Sequence, residues 1–141
     1  MKILIINGSA HRGNTWKLVE QAKNCLVESQ KEIEFDEVHL IEEGLPFCIG
    51  CSNCFRVGHE KCPHYNVIGK IIEKIETADG IIIATTTYNM RETALLKNLF
   101  DHFCFMLHRP HFFKSKALVI TTTGGVGGHA AAKSVKGTLL G

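Results

Sequence analysis

A chain of 141 residues, 45% of them hydrophobic, has the size of one domain and enough apolar side chains for a packed core. Its formal net charge is only +2, with lysines and arginines scattered among acids, which argues against nucleic acid as a partner. The apolar stretch after Met1 is too short for a signal peptide, and no run reaches the roughly 18 apolar residues of a membrane span, so the expectation is a cytoplasmic protein with no membrane partner.

Residues 2–7 are a continuous apolar, β-branched run closed by Gly8-Ser9, the pattern of a strand buried on both faces. Residues 15–29 set Leu18, Val19, Ala22, Cys25 and Leu26 at helical spacing, with Asn14 or Thr15 to cap the start. Residues 32–40 alternate Ile33, Phe35, Val38 and Leu40 with charges, as in a strand nearer a sheet edge. Residues 44–64 have no period, two prolines and four cysteines; they read as a functional loop inserted in a single domain spanning 1–141. Helical spacing returns over 67–76 through Ile68, Ile71, Ile72 and Ile75, and residues 81–84 form another buried strand. A long amphipathic helix over 93–107 ends at His108-Arg109-Pro110, since proline cannot continue the backbone pattern; a fourth strand over 117–120 and a fourth helix over 130–139 follow. This alternation predicts an α/β doubly wound parallel sheet, which binds ligands beyond the carboxyl ends of its strands, where the strand order reverses.

Three loops fall at those ends. Gly8-Ser9-Ala10-His11-Arg12-Gly13-Asn14-Thr15 joins the first strand to its helix, so backbone N–H groups and hydroxyls can converge there on a phosphate. It has neither the Gly-Lys-Ser/Thr of a nucleoside-triphosphate loop nor a GxGxxG order. Thr85-Thr86-Thr87-Tyr88-Asn89-Met90-Arg91 follows the third strand, where Tyr88 offers an aromatic wall, and Arg91 reads as a solvated side chain. Thr121-Thr122-Thr123-Gly124-Gly125-Val126-Gly127-Gly128 follows the fourth, with glycines that let backbone approach a flat ligand.

Through Asn7-Gly8-Ser9 and then Gly13-Asn14-Thr15, the sequence resembles the NAD(P)H-dependent FMN reductase family. The resemblance implies a flavodoxin-like sheet of strand order 2-1-3-4. It places Ser9, His11, Arg12, Gly13, Asn14, Thr15 and the backbone at Trp16 around the phosphate of FMN, the Trp16 ring being equally readable as packing at the helix start. Thr86, Thr87, Tyr88, Asn89 and Met90, with Thr122, Thr123, Gly124 and Gly125, would line the isoalloxazine. Thr86 stands where the family usually has proline, and Met90-Arg91 replaces a small Gly-Asn pair. The implied activity is hydride transfer from NAD(P)H to the flavin, with electrons passed to a small-molecule or protein acceptor. The alternatives are an electron-transfer protein without NAD(P)H turnover and a non-enzymatic metal or redox-sensing module. Flavodoxin-like sheets usually have five strands, so four imply either a domain incomplete at its C-terminus or a fourth strand covered by a partner chain, and the expectation is a homo-oligomer or a poorly behaved fragment.

Without an export signal, six cysteines point to metal binding or redox work. Cys48, Cys51 and Cys54 stand at two-residue gaps, and Cys62-Pro63 follows after seven more residues. Three such thiolates can wrap three corners of a cubane while a fourth completes it; zinc is the second choice, because its sites more often use two separated CxxC pairs. The run resembles that of the iron-sulfur flavoproteins, a branch of the same family, and so implies a [4Fe-4S] cluster on Cys48, Cys51, Cys54 and Cys62; free thiols, zinc or a redox disulfide stay open. Cys25 and Cys104 read as packing residues on helical faces. His102, His108 and His111 have no recognised ligand spacing and read as helix-end, dimer-contact or core histidines.

Overall fold

The computed structural model describes residues 1–30, 32–107 and 115–140, so the readings of His108 and His111 lie outside the described residues. The apolar run becomes β1 (Lys2–Asn7), flanked by β2 (Glu34–His39) and β3 (Gly80–Thr86), with β4 (Lys116–Thr122) beyond β3. All pairings are parallel: Ile5 lies opposite Glu37 and Ile82, and Ile82 opposite Leu118. The order β2-β1-β3-β4 is the flavodoxin-like one expected. Because the chain leaves β1 to one side and returns to the other, the reversal falls between β1 and β3.

The helices are α1 (Asn14–Ser29), a single turn α2 (Asn53–Arg56), α3 (Tyr65–Thr77), α4 (Ala94–His102) and α5 (Gly128–Leu140). Alternate β1 side chains serve opposite faces. Ile3 and Ile5 pack with Val19, Ile82 and Ala84 under α1, whereas Leu4 and Ile6 join Ile68, Ile71, Ile75, Leu96, Leu99 and Val135 beneath α3, α4 and α5. A strand covered on both faces has no reason to alternate, which is why β1 is apolar from Ile3 to Ile6 and β3 from Ile81 to Ala84 without a break. The outer strand β4 differs, with Lys116, Ala117 and Leu118 exposed.

Several expectations are corrected. Gly13 is the N-cap of α1, and no side chain caps it, so neither Asn14 nor Thr15 does so. The inward stripe of α1 runs through buried Thr15 and Val19 to partly buried Leu26, which turns Leu18 and Cys25 to solvent; Cys25 is not a packing residue. Helix α4 stops at His102, short of the predicted end, and Cys104–Leu107 continues as a 3₁₀ turn. Phe103, Phe105 and Met106 are all buried there, and the tighter winding starts with Phe103 N–H bonding the Phe100 carbonyl three residues back. The cysteine-rich loop is not wholly irregular: α2 and a 3₁₀ turn at His59–Lys61 lie within it.

Candidate functional site

At the β1/β3 reversal the first loop is bonded to its neighbours from both sides. Gly8 N–H donates to the Ala84 carbonyl at 2.7 Å, and a Cβ on Gly8 would come within 2.8 Å of Leu96 Cβ, so only glycine fits between β3 and α4. The Thr93 hydroxyl donates to the Gly8 carbonyl at 2.5 Å and accepts from Leu96 N–H, capping α4. Buried Ser9 uses its hydroxyl to accept from Thr86 N–H at 3.1 Å. Thr87 N–H donates to the Thr122 carbonyl at 2.8 Å, and the Thr15 and Thr122 hydroxyls share a hydrogen bond. Residues from all three predicted loops therefore meet at one rim of the sheet.

The loop can receive an anion. Helix α1 begins without a side-chain cap and without an acid in its first turn, leaving first-turn N–H groups and the positive end of the helix facing the loop. Arg12 is exposed beside it and paired with exposed Glu42 at 3.3 Å, a contact weak enough to yield to a better partner. His11 is exposed, its ring near Gly13, and Asn14 is exposed at the helix start. The Trp16 ring is used in packing: it lies 4.7 Å from the His39 ring, with the Arg12 guanidinium and Lys23 ammonium each 5.9 Å from its centroid.

Beneath the loop lies a polar chain. Asn7 is buried; its side-chain oxygen accepts from Ser9 N–H at 3.0 Å and its nitrogen donates to His39 Nδ1 at 3.2 Å. His39 Nε2, which then carries the proton, donates to Glu37 at 3.2 Å, and Lys23 donates to Glu37 at 2.8 Å. Burial works to raise the Glu37 pKa, but the hydrogen bonds from Lys23 and His39, with the charge of Lys23, outweigh it and hold the carboxyl below its ordinary value. Burial likewise works against charged Lys23, yet bonds to Glu37 and Glu20 leave its pKa raised.

The other two loops form an open wall. Tyr88 and Arg91 exchange backbone hydrogen bonds of 2.9 and 3.0 Å around Asn89 and Met90, whose φ values of 46° and 70° place both in the left-handed region, as in a tight primed turn. Tyr88 and Met90 are about half exposed, and Arg91 is exposed as read. Gly127, at φ 93°, packs its backbone on Met90 Cα. Thr123 braces the glycine loop by accepting from Gly125 N–H and donating to the Val126 carbonyl, while Gly124 and Gly125 border open space. Thr87 Oγ1 is buried without a hydrogen-bond partner among the described residues, a polar atom left for a bound group to satisfy. An uncapped helix start, an exposed aromatic wall and an orphaned hydroxyl fit a phosphorylated planar ligand.

The cysteines form a second site. Cys48, Cys51, Cys54 and Cys62 line one pocket, joined by Cys104 and His102. Left-handed backbone at Gly50 and Ser52 turns the CxxCxxC run. Asn98, buried on α4, anchors it: its oxygen accepts from Cys48 N–H at 3.1 Å, and its nitrogen donates to the Leu45 and Pro46 carbonyls at 3.2 and 3.1 Å. Burial, then the nearby Cys51, Cys48 and Cys54, push the Cys62 thiol pKa up. Burial, then the charge and hydrogen bond of Cys54, push Cys104 to about 11. Cys104 is thus not simply a packing residue; the 3₁₀ turn after α4 brings it to the pocket. Thiols converging in a partly desolvated pocket fit a soft metal centre, which would hold them deprotonated.

His102 is buried, as a core histidine would be, yet it also faces this pocket. Its ring nitrogen lies 3.1 Å from that of His64, and one nitrogen of each, with the Cys62 sulfur, fall within 4.8 Å of one another. Sequence reasoning missed His64, Asn98 and His39 as site residues. Their partners lie 32 to 50 residues away, and no local spacing signals such contacts.

An open α/β sheet with an anion-ready loop at its switch point and a thiol pocket beside it has the layout of the doubly wound folds that take a phosphorylated ligand beyond their strand ends. The chain belongs to the NADPH-dependent FMN reductase family, whose model matches residues 1–140, bearing out the resemblance. It is 39% identical over 102 residues to an iron-sulfur flavoprotein of Methanocaldococcus jannaschii, covering 72% of this chain and 51% of that one. An iron-sulfur flavoprotein of Clostridioides difficile is 30% identical over 142 residues, 99% of this chain and 62% of its own. An azoreductase from Bacillus anthracis shares the fold with a TM-score of 0.76 at 17% identity, over 99% of this chain and 80% of that one. The chain spans about half the length of the Methanocaldococcus relative and less than two thirds of the Clostridioides one. Among the described residues no helix is long and apolar enough to cross a membrane.

Proposed function

We propose that this chain binds FMN at the sheet rim and serves an NAD(P)H-dependent flavin oxidoreductase that passes electrons to a small-molecule or protein acceptor. Bound there, FMN would supply hydride acceptance and onward electron transfer, while the protein supplies position and electrostatics. The observation that carries this reading is the meeting of three loops at the β1/β3 switch point, tied by the Ser9–Thr86 and Thr87–Thr122 bonds. The first-turn N–H groups of α1, with Ser9, His11, Arg12, Gly13, Asn14 and Thr15, would hold the phosphate. Thr86, Thr87, Tyr88, Asn89 and Met90 would flank the ring on one side, and Thr122, Thr123, Gly124 and Gly125 on the other. Thr87 Oγ1 is the donor free to reach a polar ring edge.

In the same reading Cys48, Cys51, Cys54 and Cys62 hold a [4Fe-4S] cluster, a reading supported by their shared pocket and by the relatives' names. Adding FMN to ligand-free protein should quench flavin fluorescence and raise the melting temperature, and stopped-flow mixing with NADPH should bleach the flavin band. Unmoved fluorescence and melting would sink the FMN reading; binding without bleaching would leave an electron carrier. Iron and sulfide assays on anaerobically purified protein test the cluster. The exposed β4 edge supports pairing with a second copy, and light scattering that gives a clean monomer would overturn that part.

A further inference from the structure

We propose that Cys62, His64 and His102 form a mononuclear site for a borderline divalent ion such as zinc, distinct from the four-cysteine cluster and sharing Cys62 with it. The three ligand atoms are within 4.8 Å of one another, and the two imidazole nitrogens, 3.1 Å apart, stand at the separation of adjacent ligands on one ion. His102 Nδ1 lies 2.9 Å from the Asn98 carbonyl. A carbonyl only accepts, so Nδ1 carries the ring proton and Nε2 presents its lone pair to the site. Fixing one imidazole nitrogen on a backbone carbonyl so that the other can ligate is the usual support of a metal-bound histidine. The Cys62 sulfur is prepared in a similar way, because the backbone N–H of His64 donates to it.

The ligand set is spatial rather than sequential. Cys62 and His64 flank Pro63 just before α3, and His102 ends α4, so the ion would tie the cysteine-rich loop to the helix that Asn98 already clamps. Two nitrogens and one thiolate suit zinc or cobalt, with the fourth position left to solvent. In the metal-free protein the His64 Nδ1 proton occupies the space between the rings; on binding His64 takes the other tautomer, giving up that proton at Nδ1 and gaining one at Nε2, while the Cys62 thiol loses its own, so the net release to solvent is one proton per ion. The proposal does not require the cluster, but one sulfur cannot complete both centres in these two forms, so the occupancies exclude each other.

Cobalt(II) chloride titrated into the full chain, stripped with chelator and kept reduced with a phosphine, reads the site directly. The expected result is one ion per chain, thiolate-to-cobalt charge transfer and the intense visible bands of four-coordinate cobalt. Cys62→Ser should lose the charge transfer, and His64→Ala should weaken binding at least about tenfold. Cys48→Ser and Cys51→Ser should bind cobalt like the parent while failing to rebuild an iron-sulfur cluster, which separates this proposal from the cluster reading. Equal binding by parent and His64→Ala, or cobalt binding lost with Cys48→Ser, would overturn it. X-ray absorption of the parent needs no variant to fold: two nitrogens and one sulfur support the site, and a shell of four sulfurs refutes it.

Discussion

Asn98→Ala removes the clamp between α4 and the cysteine-rich loop. The side chain is 7% exposed and makes three hydrogen bonds, one to Cys48 N–H and one each to the Leu45 and Pro46 carbonyls. At about 1 kcal/mol net for each bond the upper figure is about 3 kcal/mol, and because water reaches the half-exposed loop backbone, a loss of about 2 kcal/mol is expected. Asn98→Asp should cost at least as much at neutral pH, since it keeps the acceptor for Cys48 N–H but sets a carboxylate against two carbonyls. Urea unfolding followed by circular dichroism measures the loss. Hydrogen exchange localises it: the Cys48 amide should lose protection while β1 amides keep theirs, because residues 45–48 open without the sheet. A change below about 0.5 kcal/mol with unaltered exchange at residue 48 would show that the loop is held by something else.

Gly127→Ala places a Cβ 2.7 Å from Met90 Cα at a φ of 93°, so the turn at 88–91 must shift; a cost of about 2 kcal/mol and weaker FMN binding are expected, read by melting and by fluorescence titration. Glu37→Gln tests the chain beneath the first loop. With its folded pKa below the ordinary carboxylate value, Glu37 contributes stability fully above that value and loses it as pH falls through the folded one. The pair is partly exposed, so the variant should lose only about 0.5–1 kcal/mol at pH 7, and the gap from the parent should close below about pH 4. Urea unfolding as a function of pH checks both; a constant gap would mean that the charge of Glu37 is not what stabilises.

The sheet was legible because its physics is local. An unbroken apolar run such as residues 2–7 must be covered on two sides, and each strand end marked by glycine, serine or threonine locates a loop of the rim. Register around a helix was less so: Leu18, Ala22 and Cys25 make as regular a stripe as Val19, Ala22 and Leu26, and only the docking of Val19 on Ile5 and Ile82 selects the second. The side chains that hold the sites in place could not be read at all. Asn98 and His102 look like ordinary polar residues late in an amphipathic helix, and their use depends on where a separate loop settles.

One helix carries the consequences of that settling for both sites. Thr93, at the start of α4, bonds the Gly8 carbonyl and the Thr85 hydroxyl and so fixes the first loop against the end of β3. Asn98 and His102, farther along, hold the cysteine-rich loop and face its thiols. Nine residues at 1.5 Å of rise set the two ends about 13 Å apart, and Leu96 and Leu99, both fully buried, keep the helix from sliding on the sheet. The spacing between rim and thiol pocket is therefore a property of a packed helix rather than of either loop. A substitution such as Leu99→Ala should then disturb Cys48 exchange and FMN affinity together, whereas changes confined to Asn98 or to Gly127 should disturb one and spare the other.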